Sequence, residues 1–199
     1  MAEPIHFIVA ALALFVASTV VSTLGFGIGL TATPILLLVL EPQTVVVMLN
    51  TVGITVFVLI LAQTRRHLPV REMAPIGIAG LLGVPVGVYV LSTTSASVMR
   101  IVITILVLVL AALAVSGVGS SIDRPRLLGP PLGFVVAALI TSSGIGGPLM
   151  VLYLLHPVRP VPALRASLSF FFLLIMFGGV AGYGVAGLYT VDRLVLIGA

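Results

Sequence analysis

The chain has 199 residues, of which 60% are hydrophobic and only 7% charged, and its net charge of +4 comes from nine arginines set against five acidic residues. A soluble domain carries roughly 25% charged residues because its surface faces water. The absence of cysteine excludes disulfides, thiolate metal sites and cysteine nucleophiles. The charges cluster between apolar runs, as the cost of charge in hydrocarbon requires. The composition therefore predicts an α-helical integral membrane protein that crosses the bilayer several times, and not a nucleic-acid-binding protein.

The apolar runs predict the membrane spans in chain order. The first run, residues 5–24, lacks a basic n-region, so we expect a retained first helix and not a signal peptide. It continues beyond a glycine-rich segment to residue 40, which is too long for one straight span. The further predicted helical runs are residues 44–62, 74–91, 101–115, 129–141, 149–155 and 163–188.

Two loops and one glycine pattern organise these runs. Residues 65–72 form a basic loop, and residues 116–128 form the longest polar stretch. We expect a first transmembrane repeat over residues 1–117, a polar connecting loop over 118–128, and a second repeat over 129–199 that is incomplete at its C-terminus, where residues 194–199 look like the start of a helix. The glycines of run 74–91 recur at spacings of three and four, which favours close helix packing in lipid; they are Gly77, Gly80, Gly83 and Gly87.

The two halves resemble each other in three short matches. Gly27-Ile28-Gly29 matches Gly144-Ile145-Gly146, and Leu40-Glu41-Pro42 matches Leu155-His156-Pro157. At the offset of the proline pair, Asn50 falls opposite Arg165. Internal repeats are a common plan for secondary transporters, so the fold class that we predict is all-α, a polytopic transmembrane bundle of two related repeats with broken or re-entrant helices at the glycine-rich motifs.

The arginines test whether the repeats are inverted. If residues 5–40 form a hairpin that returns to its starting side, most arginines fall on the cytoplasmic side, as the positive-inside rule favours. The cytoplasmic set is then Arg65, Arg66, Arg71, Arg124, Arg126, Arg159 and Arg165, with Arg100 and Arg193 on or near the other side. A single crossing moves Arg159 and Arg165 outside and Arg193 inside, which fits slightly less well, so we expect inverted repeats.

The glycine-rich breaks, each next to a proline, are the features most able to carry chemistry. Glycine and proline interrupt a membrane helix and free backbone groups, which must then be buried in protein or line a wet cavity. A broken helix also presents a new N-terminus, whose amides and positive dipole end favour an anion. The candidate substrate-binding residues are Gly25, Gly27, Gly29, Thr31, Pro34, Asn50, Ser142, Ser143, Gly144, Gly146, Gly147, Pro148, Tyr153 and Arg165.

Simpler explanations stand beside these assignments. The glycines could serve only helix packing, Arg165 could be an interfacial arginine that extends toward water, and Asn50 could join helices. Enzyme functions find little support, because the sequence contains no HExxH motif, no Walker loop and no paired acids within a span. The three histidines lie at predicted helix ends or loops, which argues against an intramembrane serine protease.

The sequence resembles the sulfite exporter TauE/SafE family of membrane permeases. Gly25 to Gly29 with Pro34, and Gly144 to Pro148 with Tyr153, carry the resemblance, together with Arg65-Arg66 and with Arg165-Ala166 before a phenylalanine-rich run. The first motif departs from the family in having Gly-Ile-Gly-Leu where consecutive glycines are frequent. The resemblance implies transport of small sulfur-containing anions, such as sulfite or organosulfonates, across the bacterial inner membrane.

The leading hypothesis is a secondary permease for small anions, with a channel-like anion pore or a non-transporting membrane subunit as alternatives. The expected partners are the lipid bilayer and a small anionic substrate, with a homodimer left open. We expect no cofactor, no metal and no nucleic acid. Since no acidic residue lies within a span, the sequence predicts no acidic proton relay in the bilayer.

Overall fold

A computed structural model describes residues 4–116, 125–155, 160–190 and 193. Throughout this part of the chain the regular elements are helices, which confirms the all-α prediction. They are α1 (Pro4–Leu24), α2 (Ile28–Leu36), α3 (Pro42–Thr64), α4 (Val70–Thr93), α5 (Ala96–Ser116), α6 (Pro125–Ser143), α7 (Gly147–Leu154) and α8 (Val161–Val185), with one 3-10 turn at Arg65–His67.

Three of these helical segments are long and apolar enough to cross a membrane, namely Pro42–His67, Val70–Thr93 and Val161–Val185. Shorter apolar helices cover Val9–Thr23, Ala96–Ala112 and Leu127–Ser143. Large apolar side chains remain exposed on the outside of the bundle, with Leu38 82% and Leu108 65% accessible. Water would penalise such a surface, whereas lipid tails accept it.

The helices extend further into the polar segments than the sequence pattern predicted. Helix α4 begins at Val70, so Arg71 and Glu72 lie in its first turn and not in a loop. Helix α6 begins at Pro125, inside the stretch predicted as a connecting loop, because proline fits the first turn of a helix. The rest of that loop, residues 118–124, and the predicted C-terminal helix start at 194–199 lie outside the described residues.

Helices α4 and α6 run in parallel and pack against each other through glycines. A Cβ atom at Gly83 would overlap the carbonyl oxygen of Phe134, and one at Gly87 would overlap Thr141 Oγ1. Gly77 and Gly80 of the same helix face Leu174 and Ile175 of α8. The prediction that the α4 glycines permit close packing is confirmed.

Helices α3 and α8 pack in opposite directions. Near the N-terminal end of α3, Thr44 accepts a hydrogen bond from Arg193, and Thr51 shares one with Tyr189, both beyond the C-terminus of α8. Deeper in the bundle, Gly53 of α3 faces Met176 of α8. The arginines at the α3 C-terminus therefore lie at the same end of the bundle as the N-terminus of α8.

The same succession of elements occurs twice: a long helix, a three-residue break, a short helix and a second long helix. Three separations along the chain are equal: from the end of α1 to the end of α6, from the start of α2 to the start of α7, and from the start of α3 to the start of α8. This spacing pairs Gly25-Phe26-Gly27 with Gly144-Ile145-Gly146, and Asn50 with Ser169. The sequence-based pairing of Gly27-Ile28-Gly29 with the second motif, and of Asn50 with Arg165, was wrong, because glycines lie on both sides of the start of α2 and only those before it match the second break.

Candidate functional site

Each break is a short left-handed excursion of the backbone that only glycine adopts without strain. Gly25 and Gly27 have φ of 85° and 103°, and Gly144 has φ of 74°. Gly25 and Gly144 still donate to Val21 and Ile140, respectively, which completes the last turn of each long helix. The chain then reverses into α2 or α7.

The two breaks come together in the interior of the bundle. A Cβ at Gly29 would overlap the carbonyl oxygen of Gly144, so the two backbones meet with no side chain between them. At the other side of this contact, a Cβ at Gly147 would lie 3.7 Å from Phe26 Cβ. Segments far apart in sequence thus form one place in the fold.

A cavity lies between the breaks. It is lined by both glycine motifs and by side chains of α3, α6 and α8: Gly27, Ile28, Gly29, Leu30, Phe57, Ile140, Gly144, Ile145, Gly146, Gly147, Pro148, Phe172 and Met176. A water-sized sphere can place its centre in about 20 Å³ of it, roughly the space of one water molecule. The rings of Phe57 and Phe172, whose centroids are 4.9 Å apart, form an apolar wall.

The polar character of the cavity comes from backbone. The first-turn amides of a helix have no partner within the helix, and the first turns of both α2 and α7 line this cavity. In α7 the second position is Pro148, which has no amide hydrogen and has the φ suited to a helix start. Two positive dipole ends therefore face one small space.

Arg165 lies beside the first break but does not line the cavity. Its Cγ would be 3.1 Å from a Cβ at Gly25, and its Nη2 donates to the carbonyl oxygen of Ser22 at 2.6 Å. Its Nε atom is buried and has no hydrogen-bond partner. The guanidinium thus holds the C-terminal end of α1 and keeps one donor unused.

Asn50 lies beside the second break, where it is 1% exposed. Its Nδ2 donates to Val46 at 2.9 Å and to the carbonyl oxygen of Ile140 at 3.3 Å, which joins α3 to the last turn of α6. Its Oδ1 is buried without a partner, as is Oγ1 of Thr33, which lies 3.9 Å from a Cβ at Gly144.

The comparison with known proteins decides the family. The family model described as sulfite exporter TauE/SafE matches residues 10–199, nearly the whole chain. The chain belongs to the sulfite exporter TauE/SafE family. Searches of curated proteins and of solved structures found no match. A TauE/SafE protein is a membrane transporter and not an enzyme, which agrees with the apolar helices and with the expectation from the sequence.

The structure brings together six of the residues proposed for the TauE/SafE site: Gly27, Gly29, Gly144, Gly146, Gly147 and Pro148. Gly25 is the first residue of the first break, and Asn50 and Arg165 lie beside the breaks. Pro34 and Tyr153 lie elsewhere, Pro34 exposed on α2 and Tyr153 near Gly129. Ser142 and Ser143 directly precede the second break and donate to the carbonyl of Leu139, and Ser143 Oγ also accepts a hydrogen bond from the Ile145 amide at 3.4 Å. Thr31 lies in α2 one turn beyond the break and is half-buried.

Arg165, which holds the end of α1, was among the predicted site residues, but the sequence did not single out the apolar wall or the hydrogen bond that Tyr183 makes at the end of α6. Phe57, Phe172 and Met176 are apolar residues in apolar helices, so no local pattern separates them from other buried side chains. Tyr183 is fully buried and donates to the carbonyl oxygen of Thr141 at 2.8 Å. Its hydroxyl within a membrane run was the available signal, since a buried tyrosine needs a hydrogen-bond partner.

Proposed function

We propose that this TauE/SafE protein is a secondary transporter that carries a small oxyanion, sulfite or an organosulfonate, across the bacterial inner membrane. The observation that carries the proposal is that the first turns of α2 and α7 line one small cavity. The anion would bind there through backbone amides. Sulfite and sulfonate oxygens accept several hydrogen bonds at once, which suits clustered N–H donors.

The surroundings strengthen this kind of binding. In a low-dielectric interior each amide dipole interacts with a charge more strongly than it does in water. The described lining holds no carboxylate that would repel an anion, and its side chains are apolar. The guanidinium of Arg165 beside Gly25 adds a positive charge near the site.

We further propose that residues 1–117 and 129–199 form two inverted repeats joined by residues 118–128. Helix α2 runs back along the N-terminal half of α3, since Ile28 reaches Gly53, and α7 runs back along α8 from Phe172. Because α3 and α8 are antiparallel, α2 and α7 would enter from opposite sides as re-entrant half-helices. This is the arrangement in which transporters place a substrate between helix N-termini.

The arginines support one orientation of this bundle. Arg65, Arg66 and Arg71 follow the end of α3, and Arg165 lies near the start of α8 at the same end. Arg100 and Arg193 lie at the other end, where Arg100 donates to the carbonyl oxygen of Leu40 at 3.4 Å and Arg193 Nη2 is 3.9 Å from a carboxylate oxygen of Glu41. The positive-inside rule then places the end with the basic turn in the cytoplasm.

The size of the cavity favours a transporter over an open pore. Space for about one water molecule fits a closed conformation, and a rocking motion of one repeat against the other would widen it to either side. The protein would thus expose the site to one side of the membrane at a time, and it would not conduct anions through a continuously open pore.

Uptake of labelled sulfite, an organosulfonate and a carboxylate into proteoliposomes tests the function. We expect saturable uptake of the sulfur oxyanions, near-complete loss in Gly147→Leu, whose side chain enters the cavity, and no loss in Gly184→Ala, where a Cβ meets nothing within 4 Å. Uptake that stays linear with concentration would identify a pore. No uptake by the wild-type protein would favour a non-transporting subunit, and unchanged uptake in Gly147→Leu would remove the proposed site.

A further inference from the structure

Helix α8 carries two side chains that donate to carbonyl oxygens at the ends of the broken helices. Arg165 donates to Ser22 of α1 at 2.6 Å, and Tyr183 donates to Thr141 of α6 at 2.8 Å. Ser22 and Thr141 occupy corresponding positions, because each precedes the first glycine of its break by three residues. Helix α8 therefore donates a hydrogen bond to the corresponding carbonyl oxygen before each break.

The two donors lie on one face of α8. At 3.6 residues per turn, Arg165 and Tyr183 are separated by about five complete turns, which is a distance of ~27 Å along the axis. Helix α8 contacts the cavity between them through Phe172 and Met176. Helix α8 therefore contacts the first break near its N-terminus, the candidate binding site near its middle and the second break near its C-terminus.

The bonded carbonyls matter because of their charge. The last carbonyls of a helix have no intrahelical donor and carry the negative end of the helix dipole. Each break contains such a negative end beside the positive end of the next helix. Left without a donor within a bilayer, these oxygens would be costly and would also oppose an anion held by the amides of α2 and α7.

We propose that Arg165 and Tyr183 are positioning residues for the transported anion. By occupying the carbonyl oxygens of Ser22 and Thr141, they reduce the negative helix end at each break, beside the amide ends of α2 and α7 that would hold the anion. This inference rests on the proposed transport function and assigns Tyr183, which lies outside the cavity lining, a part in it.

The two positions are not equivalent. Arg165 is half-exposed and charged, and its Nε keeps a free donor, whereas Tyr183 is fully buried and neutral. Removal of the tyrosine hydroxyl leaves the carbonyl oxygen of Thr141 without this donor. Removal of the guanidinium does the same at Ser22 and also removes a positive charge, so its effect on anion affinity is the larger.

The concentration dependence of sulfite uptake into proteoliposomes tests the inference. In Tyr183→Phe we expect the apparent KM for sulfite to rise about fivefold, with maximal uptake within about twofold of wild type. Tyr189→Phe is the matched control, because it loses a similar hydroxyl bond, to Thr51 at 3.0 Å, that involves neither the Ser22 nor the Thr141 carbonyl. Its KM should stay at the wild-type value.

The arginine is tested in the same vesicles. Arg165→Gln should raise KM roughly tenfold, and Arg165→Lys, which keeps the charge, should recover part of that loss, while exposed Arg66→Gln should change nothing. If Tyr183→Phe and Arg165→Gln melt earlier but keep the wild-type KM, the two residues are only structural and the inference is overturned. Loss of uptake in Gly147→Leu together with that result would overturn the positioning role alone and leave the proposed function standing.

Discussion

Gly146 and Gly147 are neighbours in the second break, yet they meet different surroundings. A Cβ at Gly146 would lie 2.8 Å from Ile140 Cγ1 and 3.0 Å from the carbonyl oxygen of Val136, against the backbone of α6. A Cβ at Gly147 would lie 3.6 Å from Phe172 Cζ and 3.7 Å from Phe26, at ordinary contact distance. The first glycine lets the chain pass close to α6, and the second leaves space in the cavity.

Alanine at the two positions should therefore separate folding from transport. We expect Gly146→Ala to destabilise the protein by about 1–3 kcal/mol, since the carbonyl of Val136 cannot move aside cheaply. Gly147→Ala should keep the wild-type melting midpoint and lower sulfite uptake, because its methyl group occupies part of the cavity. Thermal unfolding in detergent and uptake in vesicles measure the two effects, and a Gly147→Ala protein with full uptake would contradict this division.

At the scale of elements, the contact between α4 and α6 depends on the absence of side chains. Gly83 lies against the carbonyl of Phe134, and Gly133 of α6 faces Ile76 of α4 with its Cβ position 2.5 Å from the carbonyl oxygen. Without a hydrophobic force between helices in lipid, such close backbone approach provides much of the packing energy. Helix α8 then packs on α4 through Gly178 and Gly182.

Gly83→Ala should separate these helices by the width of a methyl group. We expect the melting midpoint to fall by about 3–10 °C, which corresponds to overpacking by a few kcal/mol in a chain of this size. Gly184→Ala, which adds the same methyl to open space on α8, should leave the midpoint unchanged or raise it slightly. Because the chain has no tryptophan, helical circular dichroism is the suitable signal. A Gly83→Ala protein as stable as Gly184→Ala would show that the helices separate freely.

The sequence predicted the helices better than it predicted their pairing. Runs of apolar residues placed the interiors of α3, α4 and α8, and the glycine motifs placed both breaks, because only glycine takes the left-handed conformation at Gly25 and Gly144. The register of the repeat was missed by two residues at the glycine motifs, since glycines on either side of a helix start look alike in sequence. The apolar wall depends on long-range packing, which no local pattern records. The sequence shows the hydroxyl of Tyr183 within an apolar run but not its partner, Thr141.

At the scale of the whole molecule, the two ends of the bundle differ in charge. The turn between α3 and α4 carries Arg65 and Arg66, and the turn between α4 and α5, around Ser95, has no charged residue. The protein also contains no cysteine. Single introduced cysteines can therefore report the side of the membrane on which each end lies, without removal of native thiols.

We expect a membrane-impermeant maleimide to label His67→Cys from the cytoplasmic side only and Ser95→Cys from the opposite side only. Both positions are exposed and lie at opposite ends of α4. Labelling of both in detergent controls for reactivity. If both cysteines react from one side, α4 does not cross the membrane; if the sides are exchanged, the orientation deduced from the arginines is wrong.

Gly29 and Gly144 form one of the contacts between the two halves, and it is a contact of bare backbone. If the two proposed repeats rotate about this contact as rigid bodies, the displacement of each atom grows with its distance from the contact. A solute seated there would hardly travel while the outer ends of α8 swing several ångströms. The anion would then stay in place while the surrounding helices open the site first to one side of the membrane and then to the other.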